Sequence, residues 1–148
     1  MKYSLKILLI VLIIPFVLFI LIQFIPYGRD HSNPAVTAEP PWDKPQTREL
    51  FFRACADCHS NQTFWPWYSN IAPVSWQIQH DVNAARRKFN VSEWGRSRNA
   101  GKAAADEVKE GGMPPASYQW MHPAAKLTEA KKNQFTIGLV ATFGKREK

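Results

Sequence analysis

The chain has 148 residues, 19 Lys and Arg against 12 Asp and Glu, a formal net charge of +7, and only two cysteines. That length holds one small domain with extras. Two cysteines are too few for a zinc ribbon, which needs a second ligand pair.

Residues 7–22 are apolar without a break apart from Pro15. The run resumes after Gln23 with Phe24 and Ile25, giving about 19 residues, enough for a membrane-spanning helix. Lys2 and Lys6 precede it, so the positive-inside rule puts Met1 in the cytoplasm and the rest across the membrane. A cleaved signal peptide has a shorter apolar core with a small-residue site close behind. Here Phe24-Ile25-Pro26-Tyr27 follows, which suits cleavage poorly, and no cysteine comes next for lipid attachment. The expectation is an uncleaved single-pass anchor over residues 1–26. Residues 27–45 hold Pro34, Pro40, Pro41 and Pro45 and read as an extended tether, with His31 solvated within it.

The domain proper spans residues 46–148. Leu50, Phe51, Ala54, Cys55 and Cys58 recur at helical spacing, and this helix delivers Cys55-Ala56-Asp57-Cys58-His59. Cys-x-x-Cys-His is the signature of c-type haem attachment. Thiols three positions apart share one helix face, within reach of the two vinyl groups of one porphyrin. His59 is then tethered beside the iron as proximal ligand. The competing readings are a dithiol couple, which wants a βαβ context absent here, and zinc, which would have to gather His31, His59, His80 and His122.

An aromatic stretch follows. Phe64, Trp65, Trp67 and Tyr68 fall within five residues, with Trp76 close behind. A porphyrin is a flat apolar disc, so Trp65, Trp67, Tyr68 and Trp76 are candidate walls, and indole or phenol groups can donate to propionates. The same rings serve equally well as ordinary core.

Cys-x-x-Cys-His-Ser, the Trp-Pro-Trp-Tyr-Ser-Asn-Ile-Ala-Pro-Val-Ser-Trp block at residues 65–76, and Gly112-Met113-Pro114-Pro115 together resemble the small bacterial haem-binding domain proteins. Phe24-Ile25-Pro26-Tyr27-Gly28-Arg29 and His122-Pro123 extend that resemblance over nearly the whole chain. The resemblance implies one covalent haem c and a cytochrome-c-like fold, without a defined reaction. The apolar run and the lysines before it, rather than the resemblance, give the expected location: the bacterial cytoplasmic membrane, N-terminus inside, with the haem domain on the periplasmic or other extracytoplasmic side, where bacteria join thiols to haem. One departure is Gly112, where the family often carries an acidic residue before Met-Pro.

Residues 74–88 read as a helix with Val74, Ile78, Val82 and Ala85 on one side and His80 exposed. Residues 89–94 read as a turn and a new helix start capped by Ser92, and residues 100–110 as a helix ended by Gly111-Gly112. Met113 sits in Gly-Gly-Met-Pro-Pro, where two prolines stiffen the backbone. A thioether on such a loop suits the sixth haem position, and its distance along the chain from His59 resembles that in class I cytochromes c. Met121, His122 and an open or water-ligated iron are the rivals. In those cytochromes a loop carbonyl holds the second imidazole nitrogen, and similar spacing nominates Pro73. Residues 127–143 form a last helix capped by Thr128, with Phe135, Leu139 and Phe143 in one stripe and Phe51 expected against it.

The sequence therefore predicts an all-α fold: a small cytochrome-c-like domain around one covalent haem, preceded by one transmembrane helix. His59 and Met113 are the expected iron ligands, and Cys55, Cys58, Trp65, Trp67, Tyr68, Pro73 and Trp76 complete the haem site. The expected role is single-electron transfer to redox partner proteins rather than catalysis. The alternatives are a haem sensor or peroxidase-like protein with an open sixth position, and an accessory subunit that uses haem as a structural core. Nucleic acid is not an expected partner, because an exported domain rarely meets any. Arg86, Arg87, Lys88, Arg96 and Arg98 suit propionates, lipid heads or acidic redox partners instead.

Overall fold

Proline and glycine punctuate the helices. The computed structural model describes residues 2–96 and 99–145, with side chains from residue 6 onward. Pro45 opens one helix at its first position, where a missing N–H costs nothing. Gly111 closes another in the left-handed conformation, at φ 81°. Thr128 caps the last by accepting from the Lys131 N–H, as the sequence predicts. In chain order the helices are α1 (Lys2–Ile22), α2 (Pro45–Ala54), α3 (Ala56–His59), α4 (Val74–Lys88), α5 (Ala104–Glu110), α6 (Ala116–Met121) and α7 (Glu129–Phe143). Short 3₁₀ turns occupy Trp67–Asn70, Gly101–Ala103 and Pro123–Ala125. Among the described residues there is no strand, only an isolated parallel bridge between Ala38 and Glu93.

The all-helical expectation holds, but the transmembrane anchor is corrected. Among the described residues no helix is long and apolar enough to cross a membrane. The sequence count runs on through Phe24 and Ile25, whereas α1 ends at Ile22 and those two residues belong to the turn beyond it. The apolar part of the helix, residues 7–22, rises about 24 Å, against a hydrocarbon core of about 30 Å.

The chain divides into two units: Met1–Ser32 with Trp65–Asp81, and Asn33–Phe64 with Val82–Lys148. In the first, Gln23 exchanges two hydrogen bonds with the Ala72 backbone, donating from Nε2 at 2.9 Å and accepting from the N–H at 3.0 Å. Arg29 Nε donates to the Asn70 carbonyl at 3.2 Å. His31 is half-buried rather than solvated: its ring stacks on Trp65 with centroids 4.6 Å apart, and Nε2 meets the Ser69 carbonyl at 3.2 Å. Gly28 has φ 81°, and a Cβ there would overlap the Ser75 carbonyl.

The second unit has one apolar core. Leu50 and Phe51 from α2, Ala105 and Val108 from α5, and Phe135, Leu139 and Phe143 from α7 cluster with Phe89 and Val91. The stripe read from the sequence on α7 is thus its buried face. Gly138 lets α7 approach α2 closely: an added Cβ would overlap Thr47 Oγ1 and lie 2.8 Å from Thr47 Cγ2. Gly138→Ala gains about 1 kcal/mol in helix propensity but overpacks a site where such insertions cost about 1–3 kcal/mol. A net loss of stability is expected in denaturant unfolding, relieved by adding Thr47→Ala.

Ser92 does not cap a helix. It is buried, and its hydroxyl accepts from the Asn61 N–H at 2.9 Å. Asn90 joins it, donating to Asn61 Oδ1 at 2.8 Å and accepting from the Ser92 N–H at 2.9 Å. Residues 33–45 run beside this network: the Thr37 and Ala38 N–H groups both donate to the Ser92 carbonyl, and Pro40 is buried. A polar knot of this kind satisfies buried backbone where no regular element can.

Candidate haem site

The attachment motif does not sit on one unbroken helix. Cys55 leaves helical geometry, with φ −131° and ψ −29°, and so separates α2 from α3. Even so, the Cys58 and His59 N–H groups both donate to the Cys55 carbonyl, which keeps the motif in a single tight turn. Burial, with the neighbouring Cys58 adding to it, pushes the Cys55 thiol up to about 12.

His59 is fixed by backbone on two sides. Its Nδ1 lies 3.0 Å from the Phe89 carbonyl, and its own carbonyl accepts from the Val91 N–H at 2.9 Å. A carbonyl can only accept, so Nδ1 carries the proton and Nε2 keeps its lone pair. Burial holds the imidazole below its ordinary pKa, Lys88 adds to that, and the bond to Phe89 opposes it. The outcome is a neutral, oriented ring with one nitrogen available to a metal. The acceptor nominated from the sequence was Pro73; the structure gives Phe89, 30 positions downstream of His59.

Cys55, His59 and Met113 line one cavity of about 250 Å³, all within the second unit. Phe51, Phe89, Ala100, Ala103, Ala104, Val108 and Leu139 supply its apolar walls, and Lys88 and Glu107 add a charge of each sign. Met113 is 38% exposed, and its N–H donates to the Glu107 carbonyl at 3.1 Å, which ties the loop to α5. Cys58 is half-buried on α3, one turn from Cys55. A thiol, an imidazole with Nε2 to offer and a thioether on apolar walls form a donor set that fits haem.

Trp65, Trp67, Tyr68, Pro73 and Trp76 belong to the first unit. Trp65 packs on His31, and Trp67 is 75% exposed with Tyr68 against it, ring centroids 5.7 Å apart. Pro73 is exposed, and its carbonyl accepts from the Trp76 N–H at 3.1 Å. The indole N–H groups of Trp65 and Trp76 are buried without a partner. Two of the blocks that carry the family resemblance, residues 24–29 and 65–76, thus belong to this unit.

Of the five basic residues, Arg86 is an internal tie that donates to the Ser60 carbonyl, Thr63 Oγ1 and Asn33 Oδ1. Arg96 donates to the Arg86 and Arg87 carbonyls and pairs with Glu93. Arg87 and Lys88 are exposed, and Arg98 lies outside the described residues.

Sequence reasoning missed Phe89, Asp57 and Tyr118. Phe89 follows directly on α4, and the available signal was Phe89-Asn90-Val91, an apolar pair flanking a buried asparagine. Asp57 accepts from the Tyr118 hydroxyl at 2.6 Å, a pairing over 61 positions that no local pattern announces.

A model of the haem-binding domain family matches residues 17–139. No curated relative and no solved structure matches the chain. Since the match runs from within α1 to Leu139, the α7 side chain that backs the cavity, the chain belongs to the haem-binding domain family.

Proposed function

We propose that the chain would hold one haem c covalently through Cys55 and Cys58, with His59 and Met113 as the iron ligands, and that it passes single electrons between protein partners. The observation that carries this reading is the commitment of His59 Nδ1 to the Phe89 carbonyl, with His59, Cys55 and Met113 on the walls of one apolar cavity. When bound, haem supplies a one-electron couple, and methionine ligation raises its potential.

The chain's own residues do the rest. The Phe89 carbonyl makes the His59 ring a better donor and sets its orientation. Phe51, Phe89, Val108 and Leu139 give the cavity apolar walls. With both His59 and Met113 on the iron, no place would be left there for a substrate, which favours a carrier over a catalyst. Exposed Arg87 and Lys88 within a chain of net charge +7 favour an acidic redox partner. Haem attachment would take place outside the cytoplasm, on the side of the membrane where bacteria join thiols to haem.

A second reading, a sensor or peroxidase-like protein with a labile sixth ligand, is favoured by the partial exposure of Met113. Met113→Ala separates the two. For the carrier, the oxidised wild type shows a weak far-red sulfur-to-iron band and its reduced form does not bind carbon monoxide. The variant loses the band and binds carbon monoxide without denaturant. Carbon monoxide binding by the native wild type supports the second reading.

A further inference from the structure

The loop that bears Met113 is held from both ends. Its N-terminal side is tied to α5 through the Glu107 carbonyl. On its C-terminal side Pro114 is buried, and its carbonyl accepts from Gln119 Nε2 of α6 at 2.6 Å. Helix α6 itself has no buried residue, and Trp120 on it is 82% exposed. Apolar packing therefore does not fix its orientation.

A hydrogen bond fills that role. The Tyr118 hydroxyl donates to Asp57 Oδ2 at 2.6 Å. Asp57 lies between the two cysteines of the attachment motif and is held firmly. Its Oδ1 accepts from the Phe64 N–H at 2.9 Å, and its carbonyl accepts from Thr63 Oγ1 at 2.6 Å. The Tyr118 ring is restrained in turn by His122, stacked at 4.1 Å, whose Nδ1 lies 3.0 Å from the Tyr118 carbonyl. A bond from a neutral hydroxyl to a carboxylate is about twice as strong as a neutral pair.

We infer that Tyr118 and Asp57 form a latch that positions Met113, by tying the segment after it to the turn that carries Cys55, Cys58 and His59. The inference rests on the proposed ligation of iron by Met113. Burial, reinforced by the bond to Asp57, pushes the Tyr118 phenol well above its ordinary pKa, so it remains a donor. Tyr118 and Asp57 are positioning residues, acting on the iron only through Met113.

The test uses the full haem-loaded chain and titrates the oxidised form with imidazole, which competes with the thioether. Tyr118→Phe and Asp57→Ala should each tighten imidazole binding about tenfold and weaken the far-red band, the effect of losing one charge-assisted hydrogen bond. Asp57→Asn keeps an acceptor oxygen without the charge and should fall between the wild type and Asp57→Ala. The double variant Tyr118→Phe with Asp57→Ala should be no worse than either single one, because the pair acts as one unit. If Tyr118→Phe titrates like wild type while Met113→Ala binds imidazole tightly, the latch is wrong and the ligation stands. Additive single effects also overturn the latch. A wild type that lacks the far-red band and titrates like Met113→Ala removes the ligation, and the latch with it.

Discussion

Alanine at both Cys55 and Cys58 should yield a polypeptide from which every haem can be extracted by acid and organic solvent. The denatured wild type should instead keep one haem in its mass, because a thioether bond survives unfolding. Each single variant should retain haem through the remaining sulfur, since both cysteines lie in the tight turn closed by hydrogen bonds to the Cys55 carbonyl. Haem binding need not vanish in the double variant. The His59 ring is set by the Phe89 carbonyl and the cavity walls by Phe51 and Leu139, and neither depends on a thioether. Mass spectrometry under denaturing conditions reads the covalent bond, and absorption of the native protein reads the ligands. A denatured wild type at bare polypeptide mass would remove covalent attachment from the account and leave non-covalent haem binding intact.

Phe51→Ala should be the most costly single change in the core. Phe51 is 1% exposed and lies among four other aromatic rings: Trp42 at 5.2 Å, Phe89 at 5.8 Å, Phe143 at 6.2 Å and Phe52 at 6.3 Å between centroids. It also lines the haem cavity. Truncation leaves a void that surrounding rings cannot collapse to fill, at a cost of about 3–5 kcal/mol. Total stabilities are about 5–15 kcal/mol, so a fall in Tm of roughly 10 °C or more is expected. Phe52, its neighbour, is half-buried, and its exposed face is covered by Arg48, with the guanidinium carbon 4.1 Å from the ring centroid. Phe52→Ala should cost less, about 1–2 kcal/mol, from its partial packing on the core, its edge contact with Phe51 and the stacked cation. Thermal unfolding of the two variants side by side checks the contrast. Equal midpoints would mean that Phe51 does not hold the core.

Both results depend on features of different legibility. The Cys-x-x-Cys-His pattern, the all-helical class, the span of α4 and the Phe135, Leu139 and Phe143 stripe could be read directly, because spacing along a helix fixes which side chains share a face. Two corrections came from segment ends. Hydropathy counts residues, not turns, so α1 reads longer than the helix that ends at Ile22. Ser92 has the chemistry of a cap, but a buried serine beside Asn61 and Asn90 serves the polar knot instead.

The order of residues alone determined that this chain brings two thiols and an imidazole together in one turn, with a methionine on a proline-stiffened loop downstream. Those facts are local, set by spacing and by the few angles a backbone permits. Only the tertiary structure decided which carbonyl receives His59, that Arg86 is an internal tie, and that Asp57 meets Tyr118. A donor chooses its acceptor by proximity once the core has closed, and that proximity is produced by packing across tens of residues, which no short stretch of sequence encodes.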